Sequence, residues 1–154
     1  RRLRDRNAPI EWPDDMELRL ANQLPVIHTD ATALQRVFMN LLTNAVKYRV
    51  AESPRVDVSS REVTTPNGDM IEFAVSDNGI GIEEKYHHLV FQMFKRLHHH
   101  NEIDGTGMGL ALIDKLVKSH GGTITLESAL DAGATFRFTW PSAMAATTAE
   151  LAPA

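Results

Sequence analysis

The sequence predicts an α+β fold, a two-layer sandwich with helices on one side of a sheet. Three observations carry this. Apolar residues recur at helical spacing from Leu34 to Tyr48 and again from about Met108 to Ser119. Runs with strand character come in pairs joined by turn residues, at 55–76 and 123–140. The order is strands, helix, strand pair, two helices, strand pair, which segregates the helices instead of alternating them with parallel strands.

The elements follow in order. Arg1-Arg-Leu-Arg-Asp-Arg6 is a charged stub, either a solvated tail or the end of a helix that continues upstream. Ile10-Glu-Trp12 and Met16 to Leu20 alternate like short strands about the Pro13-Asp-Asp15 turn. Asp30 is placed as the N-cap of the first helix, whose stripe is Leu34, Val37, Phe38, Leu41, Leu42, Ala45 and Val46. Strands Arg55–Val63 and Met70–Ser76 flank Thr65-Pro-Asn-Gly68, a hairpin signal. A second helix is expected over about Glu83–Leu97, and a polar loop from His98 to Gly105 leads to the third, which stops at Gly121-Gly122. Thr123–Ser128 and Thr135–Trp140 form the last strand pair. The expected organisation is a stub over 1–9, one domain over 10–141, and a disordered Ala/Thr-rich tail over 142–154.

Composition narrows the function. At 154 residues with 43% hydrophobic and 23% charged, the chain suits one ordinary globular domain. Its uncharged apolar runs fall far short of the roughly 18–20 residues of a membrane helix. Without cysteine it has no disulfide, thiolate metal site or cysteine nucleophile, which fits a reducing, cytoplasmic setting. A net charge of −4 argues against a nucleic-acid partner. The chain opens on Arg1 with no signal peptide and is expected to be part of a longer protein.

Three segments carry candidate chemistry. Asn40, Asn44 and Lys47 share one face of the first helix, opposite the apolar stripe. Amide oxygens can ligate a hard cation such as magnesium, and a lysine beside them can meet phosphate; a solvated polar face is the plainer alternative. In Asp77-Asn-Gly-Ile-Gly-Ile82 a strand ends on a carboxylate that could accept from an exocyclic amine, and two glycines let the backbone turn and approach closely; an ordinary turn has the same residues. Gly105-Thr-Gly-Met-Gly-Leu110 exposes N–H groups ahead of a helix, as an anion site or as a hinged lid without phosphate. Its spacing is neither G-x-G-x-x-G nor the P-loop pattern, and it sits too late in the domain for a dinucleotide fold.

In order, with 33 residues from Asn44 to Asp77 and 28 from Asp77 to Gly105, these segments resemble the ATP-binding catalytic domain of two-component sensor histidine kinases, within the wider superfamily of gyrase, Hsp-type chaperones and mismatch-repair ATPases. Leu34–Tyr48 looks like the asparagine box, Asp77–Ile82 like the first glycine box, and Phe91-Gln-Met-Phe-Lys-Arg96 like the phenylalanine box. Gly105–Leu110 looks like the second glycine box, and Gly121–Ser128 with Thr135–Phe138 and Pro141 like the closing strands. The resemblance covers roughly Leu24–Pro141. The stretch from Arg96-Leu-His98 through Glu102 to the second glycine box is similar to the phytochrome-like branch.

The resemblance implies a Bergerat-type sandwich, its mixed and largely antiparallel sheet covered on one face by three main helices. It implies ATP and Mg2+, with Asn44 and Asn40 holding the metal, Lys47 meeting a phosphate and Tyr48 lying along the nucleotide. Asp77 would take the adenine amine, supported through water by Thr135, with Gly79, Gly81 and Ile82 beneath the ring. Gly105, Thr106, Gly107, Met108, Gly109 and Leu110 would close on the phosphates, and Arg96 would face the γ-phosphate. Phe91 and Phe94 are read as core anchors. Asp131 stands where the family often has glycine, so the last turn is expected to differ while the ATP site is unaffected.

In gyrase-like members a glutamate one helical turn before the metal asparagine activates water. Asn40 stands there in this chain and cannot take a proton, so the resemblance implies slow hydrolysis and a γ-phosphoryl left for another acceptor. His28, His87, His88, His120 and the run His98-His-His100 lack the acceptor's setting in a helical hairpin, and the triple histidine has no spaced partner ligand, reading as a solvated loop. The implied partners are a dimerisation and phosphoacceptor domain outside this chain and a response-regulator receiver. The intact protein would be a homodimer, soluble or membrane-attached. Two rival readings are a non-enzymatic nucleotide-binding or docking module and an anti-sigma-type serine kinase.

Overall fold

The first helix starts where Asp30 stops the preceding extended segment. Its carboxylate accepts the Ala33 N–H at 3.1 Å, satisfying one of the amides that a first turn leaves open. In the computed structural model, which describes residues 12–21, 24–27, 29–91 and 109–141, this helix, α1, runs Ala31–Lys47. Val37, Leu41, Leu42 and Ala45 of the predicted stripe are buried, with Leu34, Phe38 and Val46 packed beside them. The second α-helix, α2, runs Gly109–Ser119 and buries Ala111, Ile113 and Val117.

The strands are β1 (Glu17–Leu20), β2 (Arg55–Thr65), β3 (Gly68–Asp77), β4 (Ile124–Ser128) and β5 (Ala134–Pro141). Among the described residues they form one five-stranded sheet in the order β1-β2-β3-β5-β4. β1 lies parallel to β2, and every other neighbour is antiparallel. The β2–β3 hairpin closes over Pro66-Asn67, with Thr65 opposite Gly68 and Gly68 at φ +108°, a conformation glycine adopts without steric cost.

Strand alternation puts Ile71, Phe73 and Val75 of β3 on one face beside Trp140, Phe138 and Phe136 of β5. These residues share one core cluster with Val37 and Leu41 of α1 and Ile113 and Val117 of α2. Phe38 packs edge-on against Phe73 and Phe138, ring centroids 5.1 and 5.3 Å away. The other face is largely polar, apart from the buried Met70 and Ala74 of β3. Arg61 pairs with Glu72 at 2.8 Å, and Arg137 with Glu127 at 3.4 Å. One helical layer on one sheet face is the predicted two-layer α+β sandwich.

Two elements differ from expectation. Trp12 is not in a strand; it is buried, and its indole N–H donates to the Met16 carbonyl at 3.0 Å across the Pro13 turn. The helix expected over Glu83–Leu97 is, in its described part, a 3-10 helix over Glu84–Leu89, and residues 92–97 lie outside the described residues. None of its six residues is buried and Glu83 makes no side-chain cap, so neither packing nor capping selects an α-helix over the tighter turn. Phe91 does pack inward, its ring centroid 6.1 Å from that of Phe136. Among the described residues no helix is long and apolar enough to cross a membrane.

Candidate functional site

Three segments meet at one end of the sandwich: the C-terminus of α1, the glycine loop after β3, and the turn between β4 and β5. The Ile80 N–H donates to the Tyr48 carbonyl at 3.0 Å, and the Asp131 N–H donates to the Ile80 carbonyl at 2.7 Å. One residue of the glycine loop is thus bonded to the helix end on one side and to the turn on the other. Asn44 and Asp77, 33 residues apart in sequence, are brought to the same end by these contacts.

Asp77 is the last residue of β3 and continues the Ile71, Phe73, Val75 row on the helix-facing side. Its Oδ1 accepts from the Gly79 N–H at 2.8 Å and from the Ala134 N–H at 3.3 Å. With Oδ1 so committed, the carboxylate is held in one orientation and Oδ2 is the oxygen left to accept from a further donor. Burial pushes the Asp77 pKa above its ordinary value, and the two N–H bonds offset part of that rise. A half-buried carboxylate oriented by backbone amides, with no cation paired to it among the described residues, suits an uncharged donor such as an aromatic amine.

On α1, Asn40 and Asn44 are half-buried and Lys47 is exposed. The Asn40 Nδ2 donates to the Arg36 carbonyl at 2.9 Å. Only the amide nitrogen can donate to a carbonyl, so Oδ1 of Asn40 points away from the backbone and remains available as an acceptor or ligand. Amide oxygens one helical turn apart, with no carboxylate between them, are a donor set that fits a hard divalent ion carrying its own anionic ligand. Tyr48 caps the helix, its N–H bonded to the Asn44 carbonyl at 3.1 Å.

The glycines of the loop serve a second purpose. A Cβ on Gly79 would lie 2.4 Å from the Tyr48 carbonyl oxygen, and one on Gly81 would lie 1.9 Å from that of Ala129. Both are required by the chain's own backbone, before any ring approaches. Gly133 is equally constrained, at φ +75° with a Cβ position 2.1 Å from the Asp77 carbonyl oxygen.

Thr135 is placed away from this cluster. Asp77 pairs with Ala134 and Ser76 with Thr135, so alternation puts the Thr135 side chain on the opposite face of the sheet. There its hydroxyl lies 2.7 Å from Ser76 Oγ. The residue that supports Asp77 from β5 is Ala134, through its backbone N–H. Asp131 also behaves otherwise than expected. At φ +63° it occupies the glycine-like position of the turn, but its N–H bond to Ile80 joins that turn to the site, so the two are not independent.

Sequence reading missed two side chains that build the site. Asn78 accepts the Arg55 N–H at 2.7 Å and donates to the Ser53 carbonyl at 2.9 Å, bolting the end of β3 to the start of β2. Ser128 donates to the Gly133 carbonyl at 2.6 Å and accepts the Ile82 N–H at 2.8 Å. Nothing in their local pattern marks either residue, because their partners are distant in sequence or across a turn. Gly109 begins α2 and Leu110 packs against the core. Arg96, Gly105, Thr106, Gly107, Met108, Phe94 and His98-His99-His100 lie outside the described residues.

Residues 29–144 match the family described as histidine kinase-, DNA gyrase B- and HSP90-like ATPase. The chain is 42% identical to cyanobacterial phytochrome A of Nostoc sp. (strain PCC 7120 / SAG 25.82 / UTEX 2576) over 118 residues, covering 77% of this chain and 15% of that protein. It is 36% identical to the adaptive-response sensory kinase SasA of Synechococcus sp. (strain JA-2-3B'a(2-13)), covering 84% of this chain and 35% of the kinase. The chain therefore spans about a seventh to a third of these relatives' length. Among solved structures it resembles the mycobacterial sensor histidine kinase MprB, with a TM-score of 0.67, 27% identity, and coverage of 88% of this chain and 86% of that one. It also resembles full-length ShkA in complex with AMPPNP, with a TM-score of 0.66, 29% identity, and coverage of 82% and 25%. The chain belongs to the histidine kinase-, DNA gyrase B- and HSP90-like ATPase family, as an ATP-binding catalytic domain of the histidine kinase kind.

Proposed function

We propose that this domain binds Mg-ATP and supplies its γ-phosphoryl to a histidine on a separate dimerisation and phosphoacceptor domain of the same kinase. The observation that carries the reading is Asp77, on the helix-facing row of β3, whose Oδ1 is locked by two backbone N–H groups while Oδ2 has no hydrogen bond among the described residues. Asp77 would accept from the adenine amine. That full-length ShkA, a structure this chain resembles, is in complex with AMPPNP supports a nucleotide as the ligand.

Asn44 and Asn40 would hold the magnesium through their amide oxygens, and the ion would supply charge compensation on the phosphates. Lys47 at the end of α1 meets a phosphate, and Tyr48 lies along the nucleotide. Gly79, Gly81 and Ile82 form the floor beneath the base. The resemblance assigns Gly105 to Gly109 to the phosphates and Arg96 to the γ-phosphate. Residues 10–141 make up the domain, and the intact kinase is a homodimer that passes its phosphoryl group to a response-regulator receiver.

Asn40 bears on the outcome of the reaction. It occupies the place from which a carboxylate could deprotonate water, and an amide has no such basicity. Water then has no base at this position to activate it, and the phosphoryl group is left for a histidine. The test is to supply the purified chain with a helical hairpin carrying the kinase's own histidine and with γ-labelled ATP. Acid-labile, alkali-stable label on the hairpin is expected, with little free phosphate when the hairpin is omitted. Rapid phosphate release without acceptor, or acid-stable label on a serine, would overturn the reading.

A further inference from the structure

We propose that Ser128 is a positioning residue for base recognition, its hydroxyl holding Asp77 in register with the amides that orient it. The inference rests on the reading of Asp77 as the adenine ligand. A serine hydroxyl has one proton to donate, and here it goes to the Gly133 carbonyl at 2.6 Å while Oγ accepts the Ile82 N–H at 2.8 Å. One side chain therefore joins the end of β4, the β4–β5 turn and the far end of the glycine loop.

Both segments held by Ser128 bear on Asp77. Gly133 lies against Asp77 so closely that a Cβ there would sit 2.1 Å from the Asp77 carbonyl oxygen. The next residue, Ala134, is Ser128's own partner across the β4–β5 ladder and donates to Asp77 Oδ1 at 3.3 Å. At that length a small displacement ends the bond. Ile82 closes the loop that begins at Asp77. Its carbonyl accepts from His87 Nε2 at 2.9 Å, so both of its backbone polar groups are held by side chains. Without the Ser128 hydroxyl, Ile82 N–H and Gly133 C=O lose their partner in a half-buried place and turn toward water. The Asp131 N–H bond to the Ile80 carbonyl still ties loop to turn, so the loosening is local to Ile82 and Gly133. The contact it costs is the 3.3 Å bond from the adjacent Ala134 N–H to the carboxylate.

The experiment titrates the whole chain with ATP and with purine riboside triphosphate, which lacks the exocyclic amine, by calorimetry. Ser128→Ala is expected to weaken ATP binding about five- to tenfold while the amine-free nucleotide changes by less than about twofold. Ser128→Thr, which keeps the hydroxyl, restores both values. Thr29→Val removes the acceptor of the Trp140 indole at the other end of α1; it lowers Tm and leaves the ratio of the two affinities alone. If Ser128→Ala does not fold, Ser128→Cys, with its weaker donor, gives a smaller loss of the same selectivity.

Wild-type affinity and selectivity in Ser128→Ala would overturn the proposal, as would an equal loss of both nucleotides. If Asp77→Asn weakens ATP binding while Ser128→Ala does not, only the role of Ser128 fails. If Asp77→Asn also binds ATP like the parent chain, the base-recognition reading fails and takes this proposal with it.

Discussion

Asp77→Asn separates ligand binding from folding. The asparagine keeps an oxygen that can accept from the Gly79 and Ala134 N–H groups, at 2.8 and 3.3 Å in the parent. That contact orients the amide so that its NH2 replaces Oδ2 and faces the adenine amine, donor against donor. The substitution loses a hydrogen bond to a charged acceptor, worth about 1.5–3 kcal/mol, and adds the cost of an unmatched donor, for about 2–4 kcal/mol together. At about 1.4 kcal/mol per tenfold, ATP affinity falls about 30- to 700-fold.

The unliganded protein should behave in the opposite sense. Burial raises the Asp77 pKa, so the folded state disfavours the charged carboxylate relative to the unfolded chain. The stability contributed by the protonated form is complete below the ordinary carboxylate pKa and is lost as pH rises through the elevated folded-state value. Asp77→Asn has no group to titrate and lacks that decline, so at neutral pH its Tm matches or exceeds the parent's. Calorimetric titration with ATP and thermal unfolding between acidic and neutral pH measure both effects. Unchanged ATP affinity would refute the assignment of Asp77. A Tm several degrees below the parent's at neutral pH would refute the account of its burial.

Three further outcomes are expected. Asn44→Ala weakens ATP binding in magnesium more than in excess chelator, by about tenfold against less than about twofold; equal losses in paired titrations would mean that the amide does not face the metal. Gly133→Ala, forced to φ +75° with its Cβ 2.1 Å from the Asp77 carbonyl oxygen, costs about 2–4 kcal/mol in urea denaturation and weakens ATP binding with it; a parental midpoint would contradict the close packing. Asp131→Gly relieves a left-handed aspartate at φ +63° and stabilises by about 0.5–1 kcal/mol in the same assay; a loss of stability would show that the turn needs the carboxylate.

Much of the fold is legible locally, because the rules involved act within a few residues. The stripe from Leu34 to Val46 specifies a helix with one buried face. Asp30 starts that helix through its own side chain, and Pro66-Asn67 with Gly68 permits a tight hairpin at one place only. The three polar residues on the other side of α1 and the carboxylate before Gly79 could be picked out for the same reason: their chemistry is carried by residue type and short spacing.

What the tertiary structure alone decides is which distant backbones touch and which face each side chain takes. Thr135 and Ala134 are adjacent in sequence, but the register of β5 on β3 gives Asp77 to Ala134 and turns Thr135 to the far side of the sheet. The glycine loop meets Tyr48, Ala129 and Gly133 at distances no side chain would allow, and Ser128 and Asn78 acquire their roles only because those approaches occur. Asp131 changes meaning in the same way, from an irregular turn residue to one bonded to the glycine loop. Helical period and capping are short-range steric and hydrogen-bonding effects and so are written in the chain. Register and close backbone packing arise from the summed burial of the whole core, and no window of residues contains them.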